Sequence, residues 1–162
     1  MKIGLAVNNE GTITFYNSLP TKLRTSTGLH LNIKDWSEEE MQNNGLFDVI
    51  VDDSYDERIH NLGEVYWDTE ETVFKKDISN KTWSKSLSEL KEQAIANYKN
   101  RIGSELAKTD WYIIRSIDNG TEVPSDISEA RENLRVQSQN VESEINAITT
   151  KANVITYDFP NI

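Results

Sequence analysis

Residues 87–115, LSELKEQAIANYKNRIGSELAKTDWYIIR, decide how this chain is organised. Leu87, Leu90, Ala94, Tyr98, Ile102 and Leu106 step by three or four positions, which lays one apolar stripe along a helix. Glu89, Lys91, Glu92, Lys99, Arg101, Glu105 and Lys108 fill the other faces. The helix is expected to stop at the aromatic block Thr109-Asp110-Trp111-Tyr112-Ile113-Ile114-Arg115. After it, Pro124-Ser125-Asp126 is a helix start, with Ser125 or Asp126 as cap. Ile127, Leu134, Val141 and Ile148 then recur every seven residues, flanked by Ala130 and Ile145. The pattern predicts a helical hairpin over residues 87–150 with the aromatic block in its hinge. The second seam is narrow and interrupted by Gln137 and Ser138. That suits one neighbouring helix, either the chain's own first helix or a coiled contact with other copies.

Toward the N-terminus the composition changes to turn signals and short β-like runs. Ile3–Val7 reads as a strand, Asn8-Asn9-Glu10-Gly11 as turn chemistry, and Thr12–Tyr16 as a β-branched and aromatic partner strand, so a hairpin over Lys2–Tyr16 is expected. Ser37-Glu38-Glu39-Glu40 opens a short helix as a capping box, and Gly45 ends it. Leu46–Val51 is a further strand. Glu64–Trp67 and Thr72–Lys76 flank the tip Asp68-Thr69-Glu70-Glu71 as a second hairpin. The expected class is α+β: a β-rich, partner-binding region over 1–80, a linker over 81–86, the helical hairpin over 87–150 and a tail over 151–162. With Ile155, Tyr157 and Phe159, the tail either adds a strand to a partner or frays.

Charge and composition narrow the function classes. Seventeen Lys and Arg against 27 Asp and Glu leave a net charge of −10, which repels nucleic acid and anionic membrane. Absence of Cys removes disulfides, thiolate catalysis and Cys-ligated metals. No apolar run approaches the ~20 residues of a membrane span. The opening MKIGLAVNNEG turns polar after Val7, too early for a secretion signal, so a cytoplasmic product is expected.

No catalytic signature stands out. Asp52, Asp53, Asp56 and Glu57 lack the alternating ligands and glycine of a calcium loop, and read as a solvated turn. His30 and His60 are the only histidines; His60 with Asp56 has no nucleophile elbow beside it. Phosphate-binding glycine loops are missing. The expectation is a non-enzymatic protein without cofactor or metal; a metal-dependent enzyme is the alternative that would need a bound ion and a pocket.

Two readings of the aromatic block remain open. Asp110 can cap a new helical turn that puts Trp111 and Ile114 on one face and Tyr112 and Arg115 on another. In the first reading, Trp111, Ile113 and Ile114 plug the open end of the hairpin, and Trp111→Ala costs about 3–5 kcal/mol. In the second, Trp111, Tyr112 and Arg115 anchor a protein partner, because Trp, Tyr and Arg dominate interface hot spots. Tyr66 and Trp67 of the second hairpin are further candidates for partner binding.

Several of these segments also carry a family likeness. Gly45-Leu46-Phe47, Tyr55-Asp56-Glu57-Arg58, Leu62-Gly63 and the Tyr66/Phe74 hairpin precede a Leu/Ala-rich helix. With Ala107–Arg115, Val123-Pro124 and the second helix, they resemble the small tail-region proteins of tailed bacteriophages, described as tail-fibre assembly chaperones or fibre-associated tail proteins. The likeness spans roughly residues 45–150, and TDWYIIR followed by VP is its most specific part. It implies a tail-fibre or baseplate protein as partner, no catalytic residues, a possible homo-oligomer, and residence in the host cytoplasm during assembly and then in the virion tail. Family members differ in fate, so a lasting structural adaptor and a transient chaperone both follow from it.

Overall fold

A computed structural model describes residues 1–9, 11–25 and 28–162. The chain divides into two compact units, Met1–Lys81 and Thr82–Ile162. The first holds strands β1 (Lys2–Asn9), β2 (Thr12–Tyr16), β3 (Lys22–Thr25), β4 (Gly28–Leu31), β5 (Leu46–Ile50), β6 (His60–Asp68) and β7 (Val73–Asn80), with helix α1 (Glu38–Asn43) and one 3-10 turn at Ile33–Asp35. The second holds helices α2 (Leu87–Ala107), α3 (Asp110–Asn119), α4 (Ser125–Ala147) and α5 (Lys151–Ile155). The molecule is thus α+β, β-rich in its N-terminal half and helical in its C-terminal half.

The five-stranded sheet runs β2-β1-β5-β7-β6, and β3 and β4 pair separately. Both expected hairpins form, β1 with β2 and β6 with β7, each antiparallel. At the first turn, Gly11 has φ +88° and its N–H donates to Asn8 Oδ1 at 3.0 Å, while Glu10 of that expected turn lies outside the described residues. The β5–β7 pairing is parallel, because β6 takes the outer place and β7 returns between it and β5.

Alternation along β1 sends Leu5 and Val7 to one face and Ala6 to the other. Leu23, Ile33, Trp36 and Met41 close over the first face. The second face gathers Ala6, Val49 and Phe74, with Phe15, Phe47, Val65 and Trp67 around them. β2 and β6, the two ends of the sheet, also meet, so the sheet curls and this second face is its inside. Gly4 belongs to that interior. An added Cβ there would run into the Tyr16 carbonyl oxygen and stand 2.7 Å from the Phe15 ring. Since the carbonyl is backbone and cannot rotate away, Gly4→Ala is expected to lower the stability of the β-unit by about 2 kcal/mol in a urea titration.

The expected capping box is present in α1: Ser37 Oγ accepts from the Glu40 N–H, Glu40 accepts from the Ser37 N–H at 2.7 Å, and Gly45 follows at φ +77°. Ser86 and Glu89 repeat the device at the start of α2. The Ser37 N–H holds the Glu40 carboxyl below its ordinary value of 4.5, and the Ser86 hydroxyl does the same for Glu89. Arg58 lowers Asp56, and the Glu71 N–H lowers Asp68. Depressed folded-state values mean stability that is complete above the unfolded carboxylate range and lost as pH falls through the lowered values. Thermal stability is therefore expected to hold steady from neutrality down to about pH 5 and to decline below it; a maximum near pH 3 would contradict this.

In the helical unit, α2 packs on α4 around buried Tyr98, Ile102, Val141 and Ile145, with Ala94, Leu106 and Leu134 against them. The α4 seam is thus filled from within the chain. Four expectations are corrected here. The hinge is more than the single new turn expected there: the aromatic block opens a helix of 10 residues, α3, between the two of the hairpin. Neither Ser125 nor Asp126 caps α4, whose N-cap is Pro124 without a side-chain bond. Ala130 faces solvent. The tail neither frays nor waits as a strand: Thr150 caps α5, Val154 is buried, and Phe159 stacks on Tyr98 with ring centroids 5.3 Å apart. Gln137 Nε2 donates to the Asn161 carbonyl at 2.9 Å, which ties the end of the chain to α4.

Candidate partner-binding surface

One arginine bridges α4 to the start of α3. Arg131 on α4 is buried, and its guanidinium forks across the junction between α2 and α3. Nη1 donates to the Leu106 carbonyl at 2.7 Å and to Thr109 Oγ1 at 2.6 Å, and Nη2 donates to Asp110 Oδ1 at 2.8 Å. Leu106 lies in the last turn of α2, and its carbonyl also accepts from the Thr109 N–H at 3.1 Å and from Thr109 Oγ1 at 3.0 Å, so the guanidinium adds a charged donor to an acceptor at the α2–α3 junction. Asp110 is therefore not a cap; α3 begins after Thr109, which makes no side-chain capping bond. Asp110 instead fastens the start of α3 to α4.

The anchored helix presents an apolar face to solvent. Trp111, Ile114 and Ile117, three apart, are 49%, 65% and 82% exposed. The plug expected of Trp111 and Ile114 is thus overturned, because the Arg131 clamp turns that face outward; Ile113, at half-burial, is on the inner side. Tyr112 and Arg115 are half-buried beside the face. The Arg115 guanidinium lies 4.9 Å from the Trp111 ring centroid and 5.5 Å from that of Tyr112, within cation–π range. The two rings themselves contact at 3.7 Å between centroids. Trp111, Tyr112 and Arg115 therefore form one pre-assembled cluster. With its ring half in water, Trp111→Ala is expected to cost about 1 kcal/mol of stability, not the several of a core deletion, by chemical denaturation.

Tyr66 and Trp67 belong to the other unit and point to opposite faces of β6. Trp67 goes inward, edge-on to Phe47 and Phe74 at 4.9 Å each, so it is core and not a presented anchor. Tyr66 goes outward, and its hydroxyl donates to Asp77 Oδ1 at 2.9 Å, a bond that raises its pKa. It borders an open cleft of about 610 Å³ lined also by Met1, Asp53, Lys75 and Asp77. Of the charges in that cleft, the N-terminal ammonium pairs with Asp53, and Lys75 pairs with Glu71 and with Asp68 beyond it.

The carboxylate run at 52–57 is a turn. Asp52 accepts from the Ser54 N–H, and Asp56 accepts from the backbone and guanidinium of Arg58. His60 Nδ1 accepts from the Asp56 N–H at 3.0 Å, so the pair drawn in sequence is a backbone contact and not a His–carboxylate couple. Among the described residues, no group of three or more His, Asp or Glu is placed to hold a metal ion.

Sequence reading missed Arg131 and the outward turn of Ile117. The signal for Arg131 was present, since it falls four after Ile127 and three before Leu134, where the helical period asks for an apolar residue. Comparison of the chain with protein-family models, with curated proteins and with solved structures finds no match.

Proposed function

We propose that this chain is a non-enzymatic bacteriophage tail component of the tail-fibre type, which binds a fibre or baseplate protein and stays in the virion as a structural adaptor. The observation that carries the reading is the α3 face, an aromatic and aliphatic surface turned to solvent by a buried arginine rather than by loose packing. A buried arginine beside three large apolar side chains turned to solvent is costly for a surface with no partner. The same stretch, TDWYIIR with VP after it, is the most specific part of the phage-tail resemblance.

A second reading, a transient cytoplasmic chaperone of fibre assembly, draws on the net charge of −10, which would keep a complex with exposed fibre chains soluble. Quantitative mass spectrometry of purified virions separates the two. Stoichiometric presence is expected for the adaptor. Absence from particles together with recovery on fibre protein from infected lysate would make it a chaperone, and absence from both would remove the phage-tail reading altogether.

A further inference from the structure

The α3 face carries information about the chemistry of what covers it. At 100° per residue, Asp118 falls on the same side as Trp111 and Ile114, one turn beyond Ile114. It stands in the last turn of α3, where the helix dipole adds partial negative charge. Glu122, Asp126 and Glu129 continue from there through the connection into the first turns of α4. All four carboxylates are exposed and make no ion pair among the described residues, whereas Glu105, Asp110, Glu132 and Glu142 each hold a cation. Of the nearby cations, Arg131 is buried in its clamp, Arg115 lies over the aromatic rings, and Arg135 reaches back to Glu132. An apolar face thus runs into a stretch of unneutralised acid.

Resting on the adaptor reading above, we propose that the occupant of this face is an amphipathic segment of another polypeptide, apolar along one side and carrying Lys or Arg beside it. Its apolar side covers Trp111, Ile114 and Ile117, and its cations meet Asp118 and Glu122. A second copy of this chain fits poorly. Antiparallel pairing of two α3 helices sets the carboxylate of Asp118 in one against the Trp111 ring of the other, and parallel pairing sets Asp118 against Asp118. A helix of 10 residues with three exposed apolar side chains also offers well under the ~800 Å² per partner of a stable interface. The acid beyond α3 supplies the remaining contact area only to a partner of opposite charge.

The test is selection of a displayed library of random peptides on the immobilised full-length chain, followed by titration of the enriched peptides at two salt concentrations. The expected result is enrichment of sequences that interleave apolar residues with Lys and Arg. Their binding should weaken about tenfold or more for Ile114→Glu and for Asp118→Lys, and also with added salt. Both positions are exposed, so both variants should fold, which circular dichroism checks. Enrichment of acidic or uncharged peptides, binding indifferent to Ile114→Glu, or no enrichment at all would overturn the proposal. So would self-association of the free chain that Ile114→Glu abolishes, since the occupant would then be a second copy. If the proposal fails while the chain is still found stoichiometrically in virions, the adaptor reading stands and its contact lies elsewhere.

Discussion

Replacing Tyr98 by Ala is expected to lower the stability of the helical unit by about 3–5 kcal/mol. Tyr98 sits mid-way along α2 and is 2% exposed. Its ring is in the cluster with Ile102, Val141 and Ile145, and it is the surface on which Phe159 stacks. Deleting it opens a cavity bounded by two helices and by the returning tail, so the loss includes part of the tail's docking. Helical circular dichroism in urea reads the cost, and protease sensitivity near Phe159 reads the release. The matched control is Tyr98→Phe. The hydroxyl is buried with no hydrogen-bond partner among the described residues, and burial raises its pKa. Removing a buried, unpartnered hydroxyl should be neutral or stabilising by about 1 kcal/mol. Equal damage from Phe and Ala would mean that the hydroxyl has a partner and that the packing account is wrong.

How far the fold was legible depended on whether the signal was local. The α2 stripe, the Ser37 capping box and the two hairpins are each written in a few neighbouring residues, and each appears where the sequence puts it. The parallel β5–β7 pairing joins residues about 25 apart through a strand that steps outward and back, which no local pattern encodes. The β3–β4 hairpin escaped notice because its strands are four residues long and mostly polar, with Leu29 and Leu31 left exposed. The tail looked free because its docking depends on the Tyr98 ring, a surface that exists only after α2 and α4 pair.

The aromatic cluster on α3 was legible in identity and not in posture. Trp111, Tyr112 and Arg115 do lie together. Four consecutive large side chains, however, carry no period that distinguishes inward from outward, so a plug and an anchor looked alike. The orientation was set by a residue 16 positions away from Arg115, namely Arg131, whose partners are known only from the fold. Tyr66 and Trp67 show the same limit: adjacent strand residues must part to opposite faces, but three consecutive β-formers, Val65 to Trp67, do not say which goes inward.

Replacing Arg131 by Ala should cost about 3 kcal/mol and release α3. The three partners do not share the loss equally. Asp110 has 53% of its side chain in solvent and is rehydrated once freed, so its salt bridge contributes little. Thr109 Oγ1 is half-buried but keeps its own bond to the Leu106 carbonyl at 3.0 Å. The cost falls mainly on the space vacated by the guanidinium; the Leu106 carbonyl loses its charged donor but keeps the Thr109 N–H and hydroxyl. Accordingly, Asp110→Asn should cost less than about 1 kcal/mol, and the cost of Arg131→Ala should barely change with salt, because the buried fork is not screened. Arg131→Lys should recover only part of the stability, since one ammonium cannot span the fork from Leu106 to Asp110. The variants also separate stability from posture. Arg131→Ala should broaden the amide resonances of 110–119 while those around Val141 and Ile145 stay sharp, and it should weaken partner binding although Trp111, Ile114 and Ile117 are all still present. An Asp110→Asn variant as damaging as Arg131→Ala would move the clamp from the buried acceptors to the exposed ion pair; unchanged 110–119 resonances in Arg131→Ala would mean that α3 is held by its own packing through Ile113.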